Sequence, residues 1–318
     1  MLDGGKLVLG RKRNMNNSSN GLFSSVVSEV LEEELGISKE VHDEALKMYY
    51  FIGALLLTNT EYGYYFIDNT KVYGIHKEGS IKIFKDDYFL NYSIEFIFVE
   101  NQDAIDELSN SIFIEQLGYD QGSNMLIIRM PIIIPENFKP ETDVVQLDDS
   151  VDADIYNTLQ HEFKHIYQKY MVSLKDEKRK LMNFKEREVY QKAVNWIYTN
   201  GFSNSDKAKI FWAIYVSSPV EITANIQSVY GSIKRQARNR NDAMTILNSS
   251  EFMEEMDLCS GILNKLVNNR VSLFDQIFVQ QKLGRDIKWI TKYINRGLNR
   301  MKQSVRKLEK LIDKEYLQ

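Results

Sequence analysis

The chain has 318 residues, 43 % of them hydrophobic and 26 % charged, with a formal net charge of −4. These values place it among proteins that fold around a core and argue against a chain built mainly to coat nucleic acid. A single cysteine, Cys259, excludes an intramolecular disulfide framework and any all-cysteine metal site.

Residues 1–20 are polar and rich in Gly, Asn and Ser, and read as an arm. Their basic positions, Lys6, Arg11, Lys12 and Arg13, are not followed by the apolar stretch of a secretory signal. The longest apolar runs, Phe51–Thr58 and Met125–Pro135, are too short to span a bilayer. The expectation is a soluble, cytoplasmic protein with no membrane span. From Leu22 the pattern turns helical, Gly36 is a stop, and a second helix starts at Ser38.

Between 62 and 134 the period becomes that of strands, at Tyr62–Ile67, Val72–His76, Ile81–Phe84, Ser93–Val99, Ile112–Glu115 and Met125–Met130. Asn69, Gly79, Asp86–Asp87 and Gln121–Ser123 punctuate them, and a short helix is predicted over 101–109. Pro131, Pro135 and Pro140 lie in the exit from this sheet. After Asp143 the chain reads as helices near 151–172, 183–199, 205–216, 219–233, 251–268 and 286–314. Strands first and helices afterwards indicate an α+β fold with a helical C-terminal region. The division is an arm (1–20), N-terminal helices (21–60), an α+β domain (61–235) and the C-terminal helices (236–318).

Two of the four histidines stand in His161-Glu162-Phe163-Lys164-His165. With this composition, H-E-x-x-H arises by chance in roughly one chain in a few hundred. Its setting is helical: Ile155, Leu159, Phe163, Ile166 and Tyr170 form an apolar stripe, and Asp148, Asp149, Ser150 and Asp152 favour a helix start. Residues i and i+4 share a helix face, so both imidazoles can reach one ion. Glu162 projects beside it, where it can hold and deprotonate a water whose pKa zinc lowers to about 7.

A catalytic zinc site needs a third protein ligand. No histidine follows His165, so the third ligand is an Asp, a Glu or Cys259, and the downstream helices offer Glu186 or Glu188 on one and Glu221 on another. Glu221 is preferred. It sits in the first turn of a helix opened by Ser217 or Ser218 and Pro219, in apolar surroundings. Asn225, four residues on, lies on the same face and can accept the outer N–H of a ligating histidine. Glu186 and Glu188 lie in a charged stretch suited to a solvated face.

H-E-x-x-H followed by Glu221-Ile222-Thr223-Ala224-Asn225 on a later helix resembles the gluzincin branch of the zincin metallopeptidases, whose later motif is written E-x-x-A-D or E-x-x-x-D. The resemblance spans residues 60–232 in architecture and about ten residues in motif. It implies a zincin-like mixed sheet ahead of a metal-binding helix, one zinc ion on His161, His165 and Glu221, and Glu162 as general base. Asn225 stands where the family more often has Asp. The resemblance also implies a transition-state donor, for which Tyr215 and Tyr230 are the nearest tyrosines to the Glu221 segment. It implies a peptide or protein substrate lying antiparallel to an edge strand, with Met125–Met130 near the cleft.

Residues 285–318 hold ten basic residues against four acidic ones, and Ile287, Ile294, Met301 and Leu308 recur every seven. The result is an amphipathic helix with a coiled-coil-like seam that Gly297 weakens. It docks on its own domain with a basic face in solvent, or it joins the N-terminal arm in building a homo-oligomer or larger assembly. The S-P-x-E-x-x-A setting and the Asn-, Lys-, Ile- and Tyr-rich composition are similar to bacteriophage-encoded metallopeptidases. That likeness implies an alternative: a virion or tail assembly protein that retains a zincin-like domain with little or no catalysis.

Overall fold

The computed structural model of the protein describes residues 31–57, 63–67, 70–84, 88–100, 114, 116–120, 122–134, 149–173, 182–201 and 203–316. The arm (1–20), the helix start at Leu22, the expected helix at 101–109 and most of the expected strand Ile112–Glu115 lie outside them.

After a helical stretch that ends at Gly36, α1 (Lys39–Leu57) leads into five strands: β1 (Gly63–Ile67), β2 (Thr70–Ile83), β3 (Tyr88–Glu100), β4 (Gln116–Asp120) and β5 (Met125–Ile134). They form one mixed sheet in the order β1-β2-β3-β5-β4, in which only β3 and β5 run parallel. Two of the expected strands, Val72–His76 and Ile81–Phe84, are one strand. Gly79 does not break it, because it pairs with Tyr92, and a Cβ there would lie 2.6 Å from the Tyr92 hydroxyl. The glycine makes room for a ring across the ladder. Gln116–Asp120, left between the expected strands Ile112–Glu115 and Met125–Met130, is an edge strand. Pro131 is inside β5, beyond the end of β4, where among the described residues β5 has a neighbour on one side only.

Alternate residues of β5, from Leu126 to Ile134, are buried against α1 and against α2 (Asp149–Ser173). Helix α2 turns Ile155, Leu159, Phe163 and Ile166 to the sheet. At 3.6 residues per turn, Asp154, Thr158, His161 and His165 then face the opposite way. That opposite face meets the helical region: α3 (Phe184–Asn200), α4 (Asp206–Val216), α5 (Pro219–Gln236), α6 (Arg240–Asn248), α7 (Glu251–Val267), α8 (Leu273–Leu283) and α9 (Ile287–Tyr316). Their apolar faces form a second core. Helices α6 and α8 escaped the sequence reading because two or three turns carry too few apolar repeats to register.

The heptad seam of α9 is not offered to a partner. Ile290, Ile294, Leu298, Met301, Val305 and Leu308 are buried against the chain's own helices. Gly297 belongs to that packing, since a Cβ there would lie 2.3 Å from Ser217 Cβ, at the corner between α4 and α5. The C-terminal helix therefore docks on its own domain, the first of its two expected placements. No helix among the described residues is long and apolar enough to cross a membrane.

Candidate metal centre

Helix α5 begins with Ser218 as N-cap, its hydroxyl accepting from Glu221 N at 3.2 Å, and Pro219 follows in the first turn. Ser-x-x-Glu normally closes a capping box, with the Glu carboxylate returning to the cap. Here the Glu221 side chain turns instead toward α2. Its Oε2 lies 3.4 Å from His161 Nε2 and 3.3 Å from His165 Nε2, and the two nitrogens are 2.9 Å apart. Among the described residues these three side chains are the one group placed to share a metal ion.

The three atoms pass a direct test of fit. Glu221 is 1 % exposed, yet its Oε2 has no hydrogen-bond partner. A buried carboxylate oxygen is strongly destabilising unless a cation meets it, and here that cation is the protonated His165 ring 3.3 Å away or a metal ion in its place. The point equidistant from the three ligand atoms lies about 1.9 Å from each, so an ion slightly off their plane reaches all three at the roughly 2.0–2.2 Å of zinc–nitrogen and zinc–oxygen bonds. A proton can bridge one edge of this triangle; a divalent ion spans all three. Two imidazoles and a carboxylate also suit other divalent transition metals.

The remaining atoms of the ligands are already held. Tyr190 on α3 donates its hydroxyl to Glu221 Oε1 at 2.5 Å. His165 Nδ1 lies 3.2 Å from Gln168 Oε1, and the Gln168 amide nitrogen donates to Val220 O (3.2 Å) and Thr223 Oγ1 (2.9 Å). Those two acceptors orient the amide, so Oε1 faces the ring, Nδ1 carries the hydrogen that stays, and Nε2 carries the proton a metal would replace. Burial disfavours charge on both Glu221 and His165, but their mutual attraction prevails. Glu221 is held well below the usual carboxylate range, and His165 is pushed up to about 9. Burial, then the Glu221 charge, raises the Tyr190 and Tyr215 phenols.

Glu162 lines the same cavity as His161 and Glu221. Its Oε2 accepts from the backbone N–H of Tyr119 at 2.9 Å. The edge strand at the site is thus β4, and Met125–Met130 is the interior strand behind it. That corrects the expected placement, and its cause is the missed strand.

Other expectations fall differently. Asn225 donates to Glu255 on α7, and no hydrogen bond from it to either imidazole exists among the described residues; Gln168 fills that place for His165. Glu186 is buried rather than solvated: it completes a capping box with Asn183 and pairs with Arg296 at 3.4 Å. Glu188 pairs with Lys192 (2.7 Å) and Arg285 (2.9 Å). Neither joins the metal cluster. Tyr230 donates to Glu32 at 2.5 Å, and Tyr215 stacks on Tyr190. Tyr198 on α3, not singled out in the sequence, is 87 % exposed; partial desolvation and then the charges of Glu162, Glu221 and Asp120 raise its phenol.

No family profile, curated protein or solved structure matches the chain. The geometry alone carries the functional argument.

Proposed function

We propose that this chain is a zinc-dependent metallopeptidase of the gluzincin type, with His161, His165 and Glu221 as zinc ligands and Glu162 as general base. The observation that carries the reading is the unpartnered Glu221 Oε2, buried against two Nε2 atoms beside the glutamate of H-E-x-x-H. A zinc ion held there supplies a Lewis acid that polarises a carbonyl and lowers the pKa of water to about 7.

The chain's own groups do the rest. The Tyr119 N–H fixes the Glu162 carboxylate between α2 and β4. From there Glu162 takes the proton of the attacking water and returns it to the leaving amine. Among the described residues strand β4 pairs with β5 on one side only, which leaves its other edge, apart from the Tyr119 N–H held by Glu162, for an extended peptide. Gln168 keeps the His165 ring in its metal-binding tautomer.

The test is cleavage of a mixed peptide library by the zinc-loaded full chain, read by mass spectrometry. Glu162→Gln is expected to lower turnover by about 10²–10⁴-fold at unchanged zinc content. Equal cleavage by wild type and Glu162→Gln would sink the reading. No cleavage by a fully zinc-loaded wild type would favour a structural protein that keeps the scaffold.

A further inference from the structure

The cavity at the metal centre is larger than the centre needs. It has a volume of about 680 Å³ and extends from His161 and Glu221 along α2 and α5 to Asp154, Ser232 and Gln236, with the start of α7 as one wall. From His161 back to Asp154 is two helical turns, about 10 Å, which is room for about three residues of extended chain. The unpartnered Glu221 Oε2 belongs to the same cavity, so groove and metal centre form one site.

Apart from His161, the ionisable side chains along this groove among the described residues are acidic or phenolic: Asp154, Glu162, Glu221, Glu251 and Glu255, with Tyr215. No lysine or arginine among the described residues lines it. Glu255 stands out. It is 7 % exposed, it accepts a hydrogen bond from Asn225 Nδ2, and no ion pair involves it among the described residues. Burial, then the like charges of Glu251 and Glu221, push its carboxyl up to about 9. The α7 N-terminus does not explain it, since Glu251 and Glu254 already occupy the first turn. Nor do Asp154, Glu251 and Glu255 converge on a second ion, because His161, His165 and Glu221 are the one metal-binding group among the described residues. Acidic groups spread along a groove suit a cation carried on a flexible chain: Glu255 holds a proton at neutral pH while the groove is empty and releases it to solvent when that cation arrives as its counter-charge.

We propose that the groove binds a lysine or arginine side chain of the peptide substrate, on the Asp154 side of the metal centre, and that Glu255 is the carboxylate that selects it. This rests on the peptidase reading and names its substrate class.

Binding tests it separately from turnover. Acetylated, amidated alanine-rich peptides with a central Lys, Arg, Met or Glu are titrated calorimetrically into the zinc-loaded full chain carrying Glu162→Gln. The Lys or Arg peptide is expected to bind at least about tenfold more tightly than the Met peptide, as a charge-assisted bond at a desolvated site would give. Adding Glu255→Gln, which keeps the side-chain shape and an acceptor for Asn225, should bring the basic peptides down to the Met peptide's affinity; Glu251→Gln should narrow the gap partly. Equal binding of Lys and Met peptides, no binding of any, or a preference that survives Glu255→Gln would overturn the proposal. Cleavage by wild type without basic preference would leave the peptidase reading standing and sink this one. Basic-selective binding without cleavage would do the reverse.

Discussion

Replacing Gln168 by alanine tests whether the metal centre is positioned from outside its ligands. Gln168 accepts from His165 Nδ1 at 3.2 Å and donates to Val220 O at 3.2 Å and Thr223 Oγ1 at 2.9 Å, so one side chain ties the second imidazole of α2 to the first turn of α5. Three net hydrogen bonds at about 0.5–1.5 kcal/mol each put the stability loss at about 1.5–4.5 kcal/mol. Loss of a ring-orienting partner lowers metal affinity by about 10–100-fold. The assay is zinc competition against a chromophoric chelator, with thermal unfolding of the metal-free protein alongside. Gln168→Glu separates the two effects. It keeps the acceptor for Nδ1–H and should hold zinc better than the alanine variant, but it loses both donors and should melt below wild type. A Gln168→Ala protein that binds zinc within about twofold of wild type would refute the reasoning.

Three further outcomes follow from the same geometry. In the metal-free protein His165 is raised to about 9, so its stabilising charge is present in full below its ordinary pKa of 6.5 and is lost as pH rises through about 9; zinc must displace that proton, and chelator competition should show affinity climbing across this window. Glu255 is also raised to about 9 from 4.5, but as an acid: it takes up a proton on folding, so metal-free stability falls as pH rises from 4.5 to 9, and Glu255→Gln should flatten that part of a denaturant-midpoint series. Gly297→Ala drives a Cβ into Ser217 at 2.3 Å and should cost about 1–3 kcal/mol in unfolding free energy, along with weaker zinc binding, because Ser217 immediately precedes the α5 cap; an unchanged melting temperature would show that α9 does not cross there.

The histidine pair and the choice of Glu221 were legible because helical periodicity and a cap signal are local. An apolar stripe on α2 says which way His161 and His165 face, and Ser218-Pro219 says where α5 begins. What escaped is set across elements. Glu186 and Glu221 sit at the same position of Asn-x-x-Glu and Ser-x-x-Glu cap sequences, yet one closes its capping box while the other faces two imidazoles; only the packing of α5 against α2 separates them. Asn225 has the spacing for an imidazole but finds Glu255, which arrives from α7. The roles of Gln168 and Tyr190 likewise depend on which helix lies opposite. Strand β4 was missed because its five residues, Gly118 among them, carry little strand patterning of their own and are held in the ladder by pairing with β5. The α9 seam was visible as a seam; what it packs against was not.

The central claim is tested most directly by metal content per chain, measured by elemental analysis on wild type, Glu221→Ala and Glu188→Ala purified identically and reloaded with zinc. The account predicts about one zinc in wild type and in Glu188→Ala, and little or none in Glu221→Ala. A wild type that stays metal-free, or a Glu221→Ala protein that keeps its full zinc, would contradict it.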